Sequence, residues 1–183
     1  MAAKAVRYEA EYFGVGEIWL EAGRVVWSEL PRPRPKAAPT HRWSNDPQGI
    51  PEIPAETVTK SDARVCSDSV TTSLVQRLQA FFRGEEVAFG DVQLDLEYPT
   101  SFQLDLARTL RAIPRGEIVS YGELAALAGR PGAARAAGTF CAQNKLPPFI
   151  PCHRVVAATG IGGYGSSGIE YKRRLLALEG VTL

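Results

Sequence analysis

The sequence predicts an α+β protein: a small α/β N-terminal domain with a short antiparallel sheet, then a mostly helical C-terminal domain containing a helix-turn-helix. Three observations carry this. Strand-like runs are confined to about the first 30 residues. Apolar stripes at helical spacing, opened by capping signals, dominate from Ser73 onward. Two short helical patterns flank a tight Gly/Pro break at Gly129-Arg130-Pro131-Gly132. The expected division is residues 1–98 and 99–183 of the 183-residue chain.

The strands come first. Glu17-Ile18-Trp19-Leu20-Glu21 and Arg24-Val25-Val26-Trp27 are rich in β-branched and aromatic residues, and Ala22-Gly23 between them reads as a hairpin turn. Prolines at 31, 33, 35, 39, 47, 51 and 54 then exclude helix and central strand, so residues 31–62 are expected to be a long exposed loop. A proline-rich ligand for a binding module is the functional alternative for this stretch. From Ser73 the period becomes helical: Leu74, Leu78, Phe81 and Phe82 share one face, and Gly84 stands where a C-terminal cap belongs.

A short extended piece, Val92 to Leu96, leads to Thr100-Ser101-Phe102-Gln103, which has the form of a capping box. The stripe Phe102, Leu106, Leu110, Ile113 follows and stops at Pro114. Ser120-Tyr121-Gly122-Glu123 is a second capping box and opens a short helix through Leu124, Ala125, Leu127 and Ala128. Beyond the Gly/Pro break, residues 133–142 form the second helix of the expected helix-turn-helix. Around Arg135 that helix is almost entirely Ala and Gly, so its backbone can approach another surface closely. Close helix–helix packing is the structural alternative, but a lone arginine on so smooth a surface is expected to project outward. The last helix places Tyr171, Leu175, Leu176 and Leu178 in the core, with Glu179 just before a capping Gly180.

Composition narrows the function classes. Hydrophobic residues make up 45% and charged residues 22%, which excludes wholesale disorder. No apolar run approaches the roughly 20 residues a membrane helix needs, and residues 1–7 lack the apolar core of a secretion signal. The expectation is a cytoplasmic protein, or a nuclear one in a eukaryote, that makes no membrane contact. The net charge of +1 hides an asymmetry: residues 1–100 carry 11 basic and 15 acidic side chains, residues 101–183 carry 10 and 5. A basic C-terminal half suits a polyanionic partner, with a scattered basic surface as the alternative.

Three cysteines (Cys66, Cys141, Cys152) and two histidines (His41, His153) show neither a disulfide framework nor metal-ligand spacing, so no metal and no cofactor is expected. Chemistry concentrates at Pro151-Cys152-His153-Arg154. A cysteine reacts as thiolate and needs a base or a positive neighbour. His153 is the candidate base, because His41 falls in the proline-rich stretch. Its neighbour in sequence points the other way along an extended chain, so it would act through a turn or a bridging water. Glu179 is the favoured carboxylate to orient it, by the logic of a hydrolase triad.

These residues resemble the O6-alkylguanine-DNA alkyltransferases, also called methylated-DNA–protein-cysteine methyltransferases. The series Ile113-Pro114-x-Gly116, Ser120-Tyr121, Gly129-x-Pro131-x-Ala133-x-Arg135-Ala136-x-Gly138, Asn144, Ile150-Pro151-Cys152-His153-Arg154, Gly163-Tyr164-Gly165 and Lys172-x-x-Leu175-Leu176-x-x-Glu179 follows the family's order and spacing. The resemblance covers essentially all of residues 100–180, with a fainter echo in Leu78-x-x-Phe81-Phe82-x-Gly84.

It implies direct DNA repair on double-stranded DNA carrying O6-alkylguanine. The alkyl group would pass irreversibly to Cys152, once per molecule. The second helix would enter the minor groove through Ala133, Ala134, Ala136 and Gly138, and Arg135 would replace a base flipped out of the stack. Tyr121 would crowd the adjoining phosphate. Asn144 would order the helix-turn-helix and the cysteine segment, while His153 and Glu179 would activate Cys152. Tyr164, Ser166, Ser167 and Val155 would form the guanine pocket, with the Tyr164 hydroxyl donating to the leaving base. No obligate protein partner is implied, and a monomer is expected.

Ala107, Cys141, Lys145, Ser166 and Ser167 depart from the family's usual residues, which bears on pocket shape and on the alkyl groups accepted. Cys141 could pair with Cys152 on oxidation, although inert packing is the simpler role. Two other readings stand beside this one. A DNA-binding relative of the alkyltransferase-like class would not transfer, but that class carries tryptophan where Cys152 stands. That leaves a damage-sensing or regulatory relative that retains the cysteine as the alternative. A Cys-His hydrolase would need an oxyanion hole that nothing in the sequence demands.

Overall fold

The computed structural model describes residues 3–33 and 69–183. Strands β1 (Lys4–Ala10), β2 (Gly14–Glu21) and β3 (Arg24–Arg32) form an antiparallel sheet in the order β1-β2-β3. Ala22 and Gly23 turn β2 into β3 with φ of 48° and 77°, the left-handed pair that a two-residue hairpin matched to strand twist requires. Val6, Tyr8 and Ala10 of β1 and Ile18 of β2 lie on the buried face, the period-two pattern of a sheet covered on one side.

Helix α1 (Ser69–Phe82) lies over that face with Leu74, Leu78, Phe81 and Phe82 inward. It is already helical at Ser69, ahead of the Ser73 expected from the apolar stripe, and Thr71 is the buried residue of that first described turn. The expected Gly84 cap is present: φ is 83°, and its N–H donates to the Phe81 carbonyl. The expected loop over 31–62 needs one correction, since Pro31 and Arg32 still belong to β3. Most of that stretch, with His41, and Cys66 beyond it lie outside the described residues. The piece around Leu94 runs beside the start of β3, where Val25 exchanges backbone hydrogen bonds with Gln93 and Asp95.

Helix α2 (Ser101–Ala112) opens on Thr100 with both arms of the capping box in place. Strand β4 (Val119–Ser120) leads into α3 (Tyr121–Leu127), whose Ser120/Glu123 box is also complete. After the Gly/Pro turn comes α4 (Ala134–Ala142), with Ala133 as its cap. Helices α3 and α4 pack against each other as the helix-turn-helix. Strand β5 (Val155–Val156) pairs in parallel with β4, Val119 opposite Val155. That two-residue ladder sets the start of α3 beside the turn that precedes β5.

Helix α5 (Gly168–Leu178) closes the fold. Its Leu175 and Leu176 are buried, whereas Tyr171 and Leu178, expected inside, are half-buried at the edge. One apolar cluster runs from Val6 of β1 to Leu175 of α5. Among the described residues no helix is long and apolar enough to cross a membrane.

Candidate active site

A single 3-10 turn, Cys152–Arg154, carries the reactive cluster between Pro151 and β5. Cys152 and His153 are buried. In a 3-10 turn neighbouring side chains are rotated by about a third of a turn rather than pointing to opposite faces as in a strand. His153 Nε2 lies 2.9 Å from Glu179 Oε1. Arg154 grips the same carboxylate with two hydrogen bonds, Nη2 to Oε1 at 2.8 Å and Nε to Oε2 at 2.9 Å.

Burial alone would raise the Glu179 pKa, but the hydrogen bonds and charges of His153 and Arg154 hold it at about 2. The carboxylate is therefore ionised. Burial depresses the His153 pKa, with Glu179 only partly opposing it, so the imidazole is neutral. An ionised carboxylate can only accept, so Nε2 carries the proton and Nδ1 is the basic nitrogen. Nδ1 is sealed from solvent and has no hydrogen-bond partner. Phe81 of α1 packs edge-on against the ring at 6.1 Å.

Cys152 is held from the other side. Asn144, just after α4, donates its side-chain N–H to Sγ at 3.0 Å and to the Ile150 carbonyl at 2.8 Å. Its Oδ1 accepts from the Leu146 N–H at 3.0 Å. One amide thus ties the end of the helix-turn-helix to the cysteine segment. Burial raises the thiol pKa, while Asn144, the Tyr164 hydroxyl and the Lys172 charge pull it down. The Tyr164 hydroxyl is buried, and desolvation with the nearby Cys152 raises its own pKa well above 10.0.

Lys172 is a residue the sequence reading did not single out. Its side chain is 0% exposed, and its ammonium donates to the carbonyls of Val155, Ile161 and Gly163. It ties the chain before Tyr164 to α5. The signal was present: Lys172, Leu175, Leu176 and Glu179 sit at i, i+3, i+4 and i+7, so a cation stands on the apolar stripe. Arg154 was quoted only as part of a motif, and its grip on Glu179 depends on a distance that sequence does not contain.

Two cavities meet at Cys152 and share Cys141, Ala142 and Tyr164. The smaller, about 200 Å³, is completed by Tyr121, Gly138 and Gly163. The larger, about 250 Å³, includes Asn144, Ser166 and Ser167, and its far wall is β3, from Trp27 to Arg32. Tyr164, Ser166 and Ser167 therefore line space at Cys152 as expected of pocket residues. Val155 does not: it is fully buried in the core and contributes its carbonyl to Lys172.

Arg135 and Ala136 stand exposed on α4, and Ala133 and Ala134 are half-buried. Gly138 is half-buried as well, and a Cβ there would meet the Tyr121 ring at 3.8 Å. Gly162 closes on Tyr121 from the opposite side. It has φ of 73°, and a Cβ would lie 3.1 Å from the Ala157 nitrogen and 3.3 Å from the Tyr121 hydroxyl, so only glycine fits. Cys141 and Cys152 are both free thiols. Among the described residues no cluster of His, Cys, Asp and Glu could hold a metal ion.

Fold and site together define a helix-turn-helix protein built around one buried cysteine with a His–Glu pair at its side. Comparison with known proteins places that class more narrowly. Residues 101–181 match the family described as the 6-O-methylguanine DNA methyltransferase, DNA binding domain. A methylated-DNA–protein-cysteine methyltransferase of Mycolicibacterium paratuberculosis is 47% identical over 106 residues, 57% of this chain and 62% of that protein. One from Methanopyrus kandleri is 41% identical over 108 residues, 59% of this chain and 79% of that protein. The crystal structure of Mycobacterium tuberculosis OGT in complex with DNA matches with a TM-score of 0.69 and 32% identity, covering 96% of this chain and 92% of that one. The chain belongs to the O6-methylguanine-DNA methyltransferase family. It spans less than two thirds of the length of the mycobacterial sequence relative.

Proposed function

We propose that this chain repairs double-stranded DNA by moving an alkyl group from O6 of a damaged guanine onto Cys152 Sγ, once per molecule. The observation that carries the reading is a buried Cys152 that accepts from Asn144 through its sulfur, shares two cavities with Tyr164 and is followed in sequence by a His153 paired with Glu179.

The thiol proton passes through one water to His153 Nδ1, which is basic because Nε2–H is committed to Glu179. Sγ attacks the alkyl carbon along the line of the C–O6 bond. The S–C bond forms as C–O6 breaks, and the electron pair departs with the guanine. Tyr164 hydrogen-bonds the leaving base, and the proton lost by the thiol restores neutral guanine in the net balance. A thioether is a poor leaving group, so the reaction ends there.

The base must leave the duplex to reach a buried sulfur. The exposed Arg135 on α4 is suited to fill the gap, and Ala133, Ala134 and Ala136 to the close approach. Tyr121, beside the smaller cavity, is suited to crowd the adjoining phosphate. We take the protein to act as a cytoplasmic monomer (nuclear in a eukaryote) without a cofactor.

The test is an intact mass spectrum after incubation with a duplex containing O6-methylguanine. The expected result is a gain of one methyl group on the Cys152 peptide, absent in Cys152→Ala. Binding of the damaged duplex with no mass change would instead mark a non-transferring DNA binder. Neither binding nor transfer would reopen the Cys-His hydrolase reading.

A further inference from the structure

The helix-turn-helix brings a second thiol to the reactive one. Cys141 sits in the last turn of α4, and Cys152 opens the 3-10 turn before β5. Both cysteines line the larger cavity and both line the smaller one. Asn144 ties the two positions together. Its backbone N–H donates to the Cys141 carbonyl at 3.4 Å, and its side chain donates to Cys152 Sγ at 3.0 Å. Both thiols are free. Of the ionisable neighbours acting on Cys141, Cys152 has the largest effect.

Burial raises the pKa of both thiols, but the two sulfurs are not equivalent. At Cys152 the Asn144 hydrogen bond, the Tyr164 hydroxyl and the Lys172 charge all favour the thiolate. At Cys141 only the Lys172 charge opposes burial, and a thiolate on Cys152 raises its pKa further. The thiolate is the form that reacts with an oxidant, so Cys152 is attacked first with a neutral thiol beside it. The transfer described above gives that second thiol no task.

We propose that Cys141 is a resolving thiol: when a peroxide oxidises Cys152, Cys141 closes a Cys141–Cys152 disulfide that keeps the acceptor in a reversible form. In the first step the Cys152 thiolate attacks one oxygen of hydrogen peroxide. The S–O bond forms, the O–O bond breaks, and the departing hydroxide takes up the thiol's proton to become water. In the second step the Cys141 sulfur attacks the sulfenic sulfur of Cys152. S–S forms as S–O breaks, and the hydroxyl leaves with the Cys141 proton as a second water. Two thiols are oxidised and one peroxide is reduced. A sulfenic acid with no thiol at hand goes on to sulfinic and sulfonic acids, which do not revert to the thiol. The benefit to repair rests on the transfer reading above, whereas the disulfide itself does not.

The experiment treats the reduced full chain with hydrogen peroxide, caps the remaining thiols in denaturant and reads intact and peptide masses. The expected chain is lighter by two hydrogens, with the Cys141 and Cys152 peptides joined. Its transfer from an O6-methylguanine duplex is lost until dithiothreitol restores it. In Cys141→Ala, and in Cys141→Ser with its similar size, Cys152 should instead gain two or three oxygens, and dithiothreitol should restore nothing. Each variant is scored against its own untreated sample, so a change in its basal rate does not enter. A wild-type Cys152 that gains the same oxygens as in the variants overturns the proposal. So does a Cys152 joined to Cys66, or one that peroxide leaves as a thiol. A Cys141–Cys152 disulfide in a chain whose reduced form transfers no methyl would uphold the pairing and sink the transfer reading.

Discussion

The two halves of the molecule bury different things. In the N-terminal half the buried polar residues among those described are Ser28 and Thr71, both hydroxyls. In the C-terminal half they are His153, Lys172 and Glu179, all ionisable. Taking a charge out of water costs several kcal/mol unless partners replace the solvent, so the charges of Lys172 and Glu179 oppose stability unless they are paired. Both charges are paired, whereas the neutral His153 keeps one ring nitrogen, Nδ1, without a partner. Glu179 holds His153 and Arg154, and Lys172 holds three carbonyls. Packing dictates the first half, while the second carries an electrostatic load that only its chemistry explains.

The largest effect should come from breaking that load. Glu179→Gln keeps the shape but leaves the half-buried Arg154 against a neutral amide and frees the His153 tautomer. Stability should fall by about 3 kcal/mol, the usual cost of removing one partner of a buried pair. The rate of transfer to Cys152 should fall by about 100-fold. Urea unfolding and single-turnover mass spectrometry read the two separately, and an unchanged rate in folded protein would remove His153 from the mechanism.

The same network sets the acid limit. The folded pKa of Glu179 is lowered from 4.5 to about 2, so its contribution is complete above pH 4.5 and is lost as pH falls toward 2. The His153 pKa is also lowered, from 6.5: the unfolded chain takes up a proton below that pH and the folded one does not, which favours unfolding earlier. Stability should therefore decline in two stages, beginning below pH 6.5 and steepening below 4.5. In Glu179→Gln the second stage should shrink, which a pH series of unfolding midpoints would detect.

A control in the other half sharpens the contrast. Leu78 is 0% exposed between α1 and the sheet, and Leu78→Ala should cost about 3 kcal/mol through the cavity it leaves. That is comparable to the loss in Glu179→Gln. The transfer rate of the fraction that remains folded should nevertheless match the wild type. A fall in that rate would mean the halves are less separable than their buried residues suggest.

Lys172→Met should be milder in stability, about 2 kcal/mol, because methionine fills the space but leaves three carbonyls without their donor. Its diagnostic readout is the pH dependence of Cys152 alkylation by iodoacetamide. The Lys172 charge lowers the thiol pKa, so its removal should move the profile to higher pH, with Lys172→Arg restoring part of the shift. A destabilised variant with an unmoved profile would make Lys172 a loop anchor and nothing more.

Legibility in the sequence divided along the same line. The capping boxes at Thr100 and Ser120, the Gly84 cap and the Ala22-Gly23 turn were readable because each is settled within four residues. The Cys152–His153–Glu179 grouping was readable through a resemblance, since 26 residues separate His153 from its carboxylate. The β3 wall was not readable at all. Trp27 and Leu30 are unremarked strand residues in sequence, and only tertiary docking brings them to Cys152. Val155 was expected to line the pocket and sits in the core instead, because a two-residue ladder decides which way it points.

The smallest expected effect tests whether that docking matters. Ser28→Ala removes the 2.6 Å hydrogen bond to the Pro147 carbonyl and keeps the backbone bond to Lys145. One part-buried neutral hydrogen bond is worth about 1 kcal/mol, so the global unfolding midpoint should move little. Hydrogen exchange of the amides of β3 should nevertheless quicken more than that of α2, whose contacts the substitution does not touch. If β3 and α2 quicken together, the sheet and the reactive half unfold as one unit, and the division drawn from their buried residues concerns chemistry alone. If β3 quickens by itself, the wall at Cys152 is a separately opening element that the reactive half does not hold shut.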